Sequence, residues 1–315
     1  MSNIVLQAEA LTKSYKSLRA VNHLSLDVME GEVFGFLGPN GAGKTTTINM
    51  LCGLLRPDSG QVLLHGKPFS SSDTQRKALV GVCPQNIVLW ERLTCLEQLI
   101  FMGQMYGLTE RTARQNSLRL LADLDLEDKR DKLARTLSGG MQRRLNIAMA
   151  LVHNPQIVVF DEPEAGLDPQ SRVKVREYIQ SLARRKTVIL TTHNMDEADR
   201  VADRIAIIDH GELLVLDTPE RLKQRVGEGD ILEVKLTNGL RDENKAREAL
   251  KQLASEVALD VNSQILRVRA LNAVGNLAAI LESLTAAGFK PGEVNLRANS
   301  LEDVFIQLTG RRLRG

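Results

Sequence analysis

Gly38-Pro39-Asn40-Gly41-Ala42-Gly43-Lys44-Thr45 is the stretch on which the fold turns, because it fits G-x-x-x-x-G-K-S/T. It lies between an apolar run, Val33 to Leu37, that reads as a buried strand, and a helix-like run from Thr46. The turn cluster Arg56-Pro57-Asp58-Ser59-Gly60 should end that helix near Leu55. Strand, Gly-rich loop and helix in this order form a phosphate-binding loop. The glycines let successive N–H groups converge on phosphate oxygens, and the helix presents its positive end to the same anion. Lys44 is placed to reach the β- and γ-phosphates of a nucleoside triphosphate. The Thr45 hydroxyl is placed to take one position on Mg²⁺, and Thr46 continues the cradle.

Length and composition bound the rest. With 315 residues, 43% of them hydrophobic, the chain can bury a large core, and its length suggests two domains. A net charge of +2 does not suggest a nucleic-acid binder driven by bulk positive charge, so no nucleic-acid partner is expected. Three cysteines, Cys52, Cys83 and Cys95, lack C-x-x-C spacing, which argues against a disulfide framework or a zinc site and fits a reducing cytoplasm. No apolar segment approaches the roughly 18 residues of a membrane span, and the start Met1-Ser-Asn-Ile-Val has no signal-peptide pattern. A soluble chain is expected. Any transport channel would then be a separate polypeptide.

Further motifs follow in a fixed order. Gln85 lies in Cys83-Pro-Gln-Asn86. Leu137-Ser-Gly-Gly-Met-Gln142 precedes an apolar strand, Ile157 to Phe160, that runs into Asp161-Glu162-Pro163. Gly166-Leu-Asp-Pro169 and then His193, after Val188 to Thr192, complete the series. Over residues 4 to about 225 this set closely resembles the ATP-binding cassette of ABC transporters.

That resemblance implies an α/β P-loop NTPase cassette, with a mostly parallel sheet and a helical subdomain at about 88–150, that binds and hydrolyses ATP with Mg²⁺. Asp161, ending a buried strand, can bind Mg²⁺ directly or through water. Glu162 can accept a proton from the attacking water and by resemblance is the general base. Gln85 resembles the residue that links the γ-phosphate and Mg²⁺ to the helical subdomain. His193 resembles the histidine that holds the attacking water near the γ-phosphate. Tyr15 is a candidate to stack on adenine, or else a surface tyrosine. Ser138, Gly139 and Gly140 resemble the signature segment that closes on ATP held by another subunit, with Asp168 in the loop that signals between the two sites. One set of motifs per chain then implies a homodimer, or pairing with a homologous ATPase partner.

Glu164 departs from the Thr or Ser usual at its place in the family. It reads either as a harmless solvent-facing change or as extra negative charge near the γ-phosphate that slows turnover.

Domain limits are expected at 1–226 for the cassette and 227–315 for an accessory domain, divided at Gly227-Glu-Gly-Asp230. Strands at Ile231–Leu236, Val257–Asp260, Ile265–Val268 and Val294–Arg297 alternate with helices at Glu243–Ala254 and around Val274, Leu277, Ala278 and Leu281. The order βαββαβ predicts a small ferredoxin-like α+β sandwich. Leu301-Glu-Asp-Val-Phe-Ile-Gln-Leu-Thr-Gly310 resembles the end of daunorubicin-resistance-like exporter ATPases paired with type-2 permeases. The same residues can form an amphipathic helix packing through Leu301, Val304, Phe305 and Leu308. Arg311, Arg312 and Arg314 read as a solvated tail, or as attraction to anionic lipid.

Three functions are weighed. An exporter ATPase on the inner face of the membrane, driving an integral-membrane permease, fits best. A translation or DNA-repair ATPase should carry a second cassette, coiled coils or zinc modules. A non-hydrolysing regulator should have lost Glu162 or Lys44.

Overall fold

The computed structural model describes residues 3–70, 74–226, 229–238, 242–261 and 263–310. Contacts divide the chain into two compact units, one ending at Pro219 and one beginning at Glu220. The first unit contains β1 (Ile4–Tyr15), β2 (Leu18–Met29), β3 (Val33–Leu37), α1 (Lys44–Leu51), β4 (Ser59–Leu64), β5 (Lys67–Pro68), α2 (Thr74–Lys77) and β6 (Val80–Cys83). It continues through α3 (Cys95–Met105), α4 (Glu110–Asp123), α5 (Gly139–Leu151), β7 (Ile157–Asp161), α6 (Pro169–Leu182), β8 (Thr187–Thr192), α7 (Met195–Val201), β9 (Arg204–Asp209) and β10 (Glu212–Asp217).

The central sheet has the order β10-β9-β3-β8-β7-β6 and is parallel except for its β9–β10 hairpin. Every residue of β3, β7 and β8 is buried, as continuous apolar runs covered on both faces require. A second, antiparallel sheet runs β2-β1-β4-β5. Phe34 and Phe36 of β3, edge to face with centroids 5.2 Å apart, join the core beneath it.

Parallel pairing is what builds the site. Leu37 lies opposite Thr192, Asp161 opposite Thr191, and Cys83 opposite Phe160. The carboxyl ends of β3, β8, β7 and β6 therefore open side by side along one edge, the usual ligand edge of an α/β sheet.

α1 stops at Leu51, earlier than the turn cluster predicts. Gly53 adopts φ +65°, and Leu54 N and Leu55 N both donate to Asn49 O, at 2.8 and 3.0 Å, which winds the chain out of the helix. Helices α3 to α5 lie where the helical subdomain is expected, at about 88–150, and α3 opens with a Thr94–Glu97 capping box.

The second unit takes in α8 (Pro219–Arg225) from Glu220, placing that short helix on the far side of the boundary from the sequence-expected limit. Gly227 and Glu228 of the expected hinge, and Arg311, Arg312 and Arg314 of the basic tail, lie outside the described residues. Its remaining elements are β11 (Asp230–Leu236), α9 (Glu243–Ala249), β12 (Glu256–Asp260), β13 (Ile265–Ala270), α10 (Leu277–Ala286), β14 (Pro291–Arg297) and α11 (Leu301–Thr309). They form an antiparallel sheet of order β12-β13-β11-β14, the connectivity of a ferredoxin-like sandwich.

Two sequence readings need correction here. The α10 stripe is Leu277, Ile280, Leu281 and Leu284, three residues further on than expected, with Val274 left 65% exposed ahead of the helix. On α11, Leu301, Val304 and Phe305 are buried, but Leu308 points outward.

Candidate functional site

β3 leads directly into the loop Gly38–Gly43. Gly43 sits at φ +98°, and a Cβ there would collide with the Ala20 carbonyl, while a Cβ at Gly38 would collide with the Ile208 carbonyl. Only glycine satisfies both demands. Inside the loop the Ala42 N–H donates to Pro39 O at 3.1 Å, and the Gly211 N–H ties the loop down through Ala42 O at 3.0 Å. Gly43 caps α1 with no side-chain hydrogen bond, which leaves the first N–H groups of that helix for an anion. Lys44 is only 6% exposed and donates to Gly38 O at 2.6 Å and Pro39 O at 3.1 Å. Its ammonium lies 3.9 Å from Glu162 Oε1. Burial holds that ammonium below the ordinary lysine value, against the pull of the Glu162 and Asp161 carboxylates.

Asp161 ends β7, and its side chain is held from both sides. Thr45 Oγ1 donates to Oδ2 at 3.2 Å, and Thr191 Oγ1 donates to Oδ1. Glu162, one residue on, is buried and adopts φ +46°, a left-handed conformation that costs a residue with a Cβ of order 1–3 kcal/mol. Two bonds from its own N–H hold it there, to Thr191 O at 3.1 Å and Thr191 Oγ1 at 2.9 Å. The twist turns its carboxylate toward the loop. Gln85 Nε2 donates to Oε2 at 3.4 Å, and His193 Nδ1 lies 3.1 Å from Oε1. Lys44, Thr45, Gln85, Asp161, Glu162 and His193 are thus gathered at one end of the sheet. Thr45 Oγ1, an Asp161 carboxylate and the Gln85 amide are hard oxygen donors. That set fits Mg²⁺, which takes phosphate oxygens and water in its other positions.

Arg143, on α5, organises this end of the sheet and is a residue the sequence reading missed. The residue is 2% exposed, and its guanidinium donates to carbonyls. Nε reaches Pro163 O at 2.9 Å, Nη1 reaches Pro84 O at 2.6 Å and Gln85 O at 3.0 Å, and Nη2 reaches Asp161 O and Glu162 O, both at 2.9 Å. One fork therefore fastens the Gln85 loop to the end of β7. The only sequence signal for it is a cation on the face of α5 that turns inward.

Ser138, Gly139 and Gly140 are not part of this side-chain cluster in their own chain. Ser138 caps α5, accepting from Met141 N at 3.4 Å, and a Cβ on Gly140 would collide with Ser171 Oγ. Ser171 in turn donates to both oxygens of Asp168, at 3.0 and 2.6 Å, and these bonds hold the Asp168 carboxyl below the usual range. Tyr15, at the end of β1, is 48% exposed and its ring is free to meet a ligand.

Glu164 fits neither of its two sequence readings. It is 4% exposed, not solvent-facing, and its charge is neutralised by Arg176, which donates to it from Nε at 3.1 Å and Nη2 at 2.9 Å. Its other neighbour is Glu197, whose carboxyl is pushed up by burial and by the nearness of Glu164. Thr192 Oγ1, next to His193, donates to Glu197 at 2.8 Å.

A phosphate loop, an Asp-Glu pair at the end of the next strand but one, and a histidine at the end of the strand between them define a P-loop nucleotide-binding cassette. Residues 21–165 match the ABC transporter family model. The linearmycin resistance ATP-binding protein LnrL of Bacillus subtilis is 36% identical over 313 residues, covering 98% of this chain and all of that protein. The daunorubicin/doxorubicin resistance ATP-binding protein DrrA of Streptomyces peucetius is 38% identical over 310 residues, 97% of this chain and 92% of that protein. Among solved structures, a dimeric bacterial ABC transporter cassette superposes with a TM-score of 0.63 at 28% identity, covering 68% of this chain and 98% of the other. The chain belongs to the ABC transporter family as an ATP-binding subunit, and it is an ATPase of that type. No helix among the described residues is long and apolar enough to cross a membrane.

Proposed function

We propose that the chain powers an exporter of the antibiotic-resistance kind, hydrolysing ATP on the cytoplasmic side and driving a separate type-2 permease. The convergence of Lys44, Gln85 and His193 on the Glu162 carboxylate carries the catalytic part of this reading. Glu162 accepts the proton of the attacking water, and His193 holds that water against the γ-phosphate. Lys44 leaves the Gly38 and Pro39 carbonyls for the β- and γ-phosphates, and the loop N–H groups from Gly41 to Thr46 cradle them. Tyr15 stacks on the base. Thr45, Asp161 and Gln85 would hold Mg²⁺, which when bound supplies positive charge against the phosphates.

Ser138 to Gly140 lie outside the Glu162 cluster and beside Asp168, which supports a homodimer, or a pair with a homologous ATPase, in which they close on the partner's ATP. Permease docking is supported by an apolar patch that begins just after Gln85. Ile87, Val88, Trp90, Phe101 and Met105 are 40–67% exposed, and the Trp90 and Phe101 rings meet edge to face at 5.2 Å. Exposed apolar side chains of this size, two of them in ring contact, mark a candidate partner site. We assign the unit that begins at Glu220 to an accessory domain that steadies the dimer or docks on the permease.

The direct test of the chemistry is Glu162→Gln. ATP binding should persist, because the amide is nearly isosteric, while turnover falls by ~10²–10⁴-fold with the general base gone. Hydrolysis within a few-fold of the unmodified chain would reject the assignment.

A further inference from the structure

A cleft of about 510 Å³ opens between α4 and the carboxyl-terminal ends of α5 and α6, and it shares no residue with the nucleotide site. Its polar rim carries Arg119, Asp123, Tyr178, Arg185 and Lys186, and Leu120, Leu151 and Leu182 line its floor. Three cations therefore face one carboxylate. Lys186 Nζ donates to two neutral oxygens, Asn154 Oδ1 at 2.8 Å and Pro155 O at 2.6 Å, and Arg185 Nη2 donates to Ser181 O at 2.6 Å. Among the described residues no ion pair joins Arg119, Arg185 or Lys186 to an acid.

A half-buried cation that lacks a counter-ion and stands beside two like charges is costly, and the usual remedy is an anion. Burial, and then Arg119 and Arg185, hold the Lys186 ammonium below the ordinary lysine value, so the crowding is felt. Burial likewise pushes the Tyr178 hydroxyl up, keeping it a neutral donor at the rim. Two guanidinium forks, an ammonium and a phenol offer almost only donors. Arginine forks match phosphate oxygens in pairs, and the leucine floor suits a small carbon skeleton. The volume falls within the range of small-molecule sites.

We propose that this cleft binds a small phosphate-bearing anion, distinct from the ATP substrate, that bridges α4 of the helical subdomain to α6. The anion is either a free organic phosphate or a lipid headgroup, and both share the recognition chemistry.

The experiment uses the full chain saturated with MgADP, which fills the phosphate loop. Fructose 1,6-bisphosphate is titrated by calorimetry, and phosphatidylglycerol vesicles are tested in parallel by sedimentation. In at least one arm, saturable binding of one site per chain is expected, with a soluble Kd at or below roughly 1 mM. Lys186→Met and Arg185→Glu should each weaken it roughly tenfold or more, whereas Arg114→Ser, elsewhere on α4, should leave it unchanged. If Lys186→Met fails to fold, Arg119→Ser and Arg185→Glu, both at exposed side chains, carry the test. Binding in the soluble arm alone assigns a free phosphate, and vesicle binding lost with Arg119→Ser assigns a headgroup. No binding in either arm, or binding that all cleft variants leave within roughly twofold of the unmodified chain, overturns the proposal.

Discussion

Replacing Arg143 by Met should cost this protein more stability than any surface change, and should loosen the Gln85 loop in particular. Met keeps most of the buried volume but removes all five bonds from the guanidinium to Pro84 O, Gln85 O, Asp161 O, Glu162 O and Pro163 O. Stripping five acceptors of their donor, three of them buried and two part-buried, at up to ~1 kcal/mol each sets a gross loss of at most ~5 kcal/mol. Relief of the guanidinium's own desolvation returns part of it, for a net loss of about 2–4 kcal/mol. For a unit of this size that corresponds to a fall in Tm of roughly 4–16 °C. Urea unfolding gives the free energy, and amide hydrogen exchange at Gln85 to Val88 and at Glu162 locates the loosening. Arg143→Lys should recover little, because one ammonium cannot span both the Pro84–Gln85 and Asp161–Pro163 carbonyls. A loss below ~1 kcal/mol, or exchange unchanged at Gln85 and Glu162, would refute the clamp.

Two further outcomes test buried charge. Arg176→Leu strands Glu164 beside Glu197 and should destabilise by about 3–5 kcal/mol at neutral pH. The Glu197 carboxyl, already pushed up by burial and by Glu164, then loses a nearby cation, so the folded state takes up a proton more readily than the unfolded one and the deficit should shrink as pH falls toward 5; a pH-independent deficit in chemical denaturation counts against it. His153 is stacked on Tyr106 at 3.7 Å, and burial lowers its pKa to about 4, outweighing a contact with the Val80 backbone. Because the unfolded chain takes the proton first, this group costs nothing above about pH 6.5, and its penalty grows to ~1–2 kcal/mol, discounted for solvent access, as pH falls to 4. His153→Phe keeps the stack and should flatten that part of the Tm–pH curve; parallel curves for the two proteins would show that His153 is not responsible.

The phosphate loop was legible because its demands are local. Gly43 answers to one φ and one neighbouring carbonyl, and the strand and helix that flank it are contiguous in sequence. Asp161 and Glu162 were legible for a similar reason, standing at the end of an apolar run. Arg143 was not, since its acceptors come from Pro84–Gln85 and from Asp161–Pro163, which only the folded sheet brings together. The solvent-facing alternative for Glu164 failed because its partner, Arg176, lies on α6, out of sight of the local sequence. The α10 stripe slipped by one turn: Val274 continues the apolar period, but the helix starts only after Asn276. Leu308 likewise fits the period of α11 while lying past the surface that buries Val304 and Phe305.

If one chain's signature segment completes another chain's ATP site, the mass of the protein in solution must depend on ATP. Multi-angle light scattering of the Glu162→Gln protein with MgATP should show the mass double relative to the nucleotide-free sample. Adding Ser138→Arg should return it to the monomer, by placing bulk and charge where the partner's phosphates must sit. A mass that MgATP does not change, with or without the permease, or a dimer indifferent to Ser138→Arg, would rule out the shared ATP site.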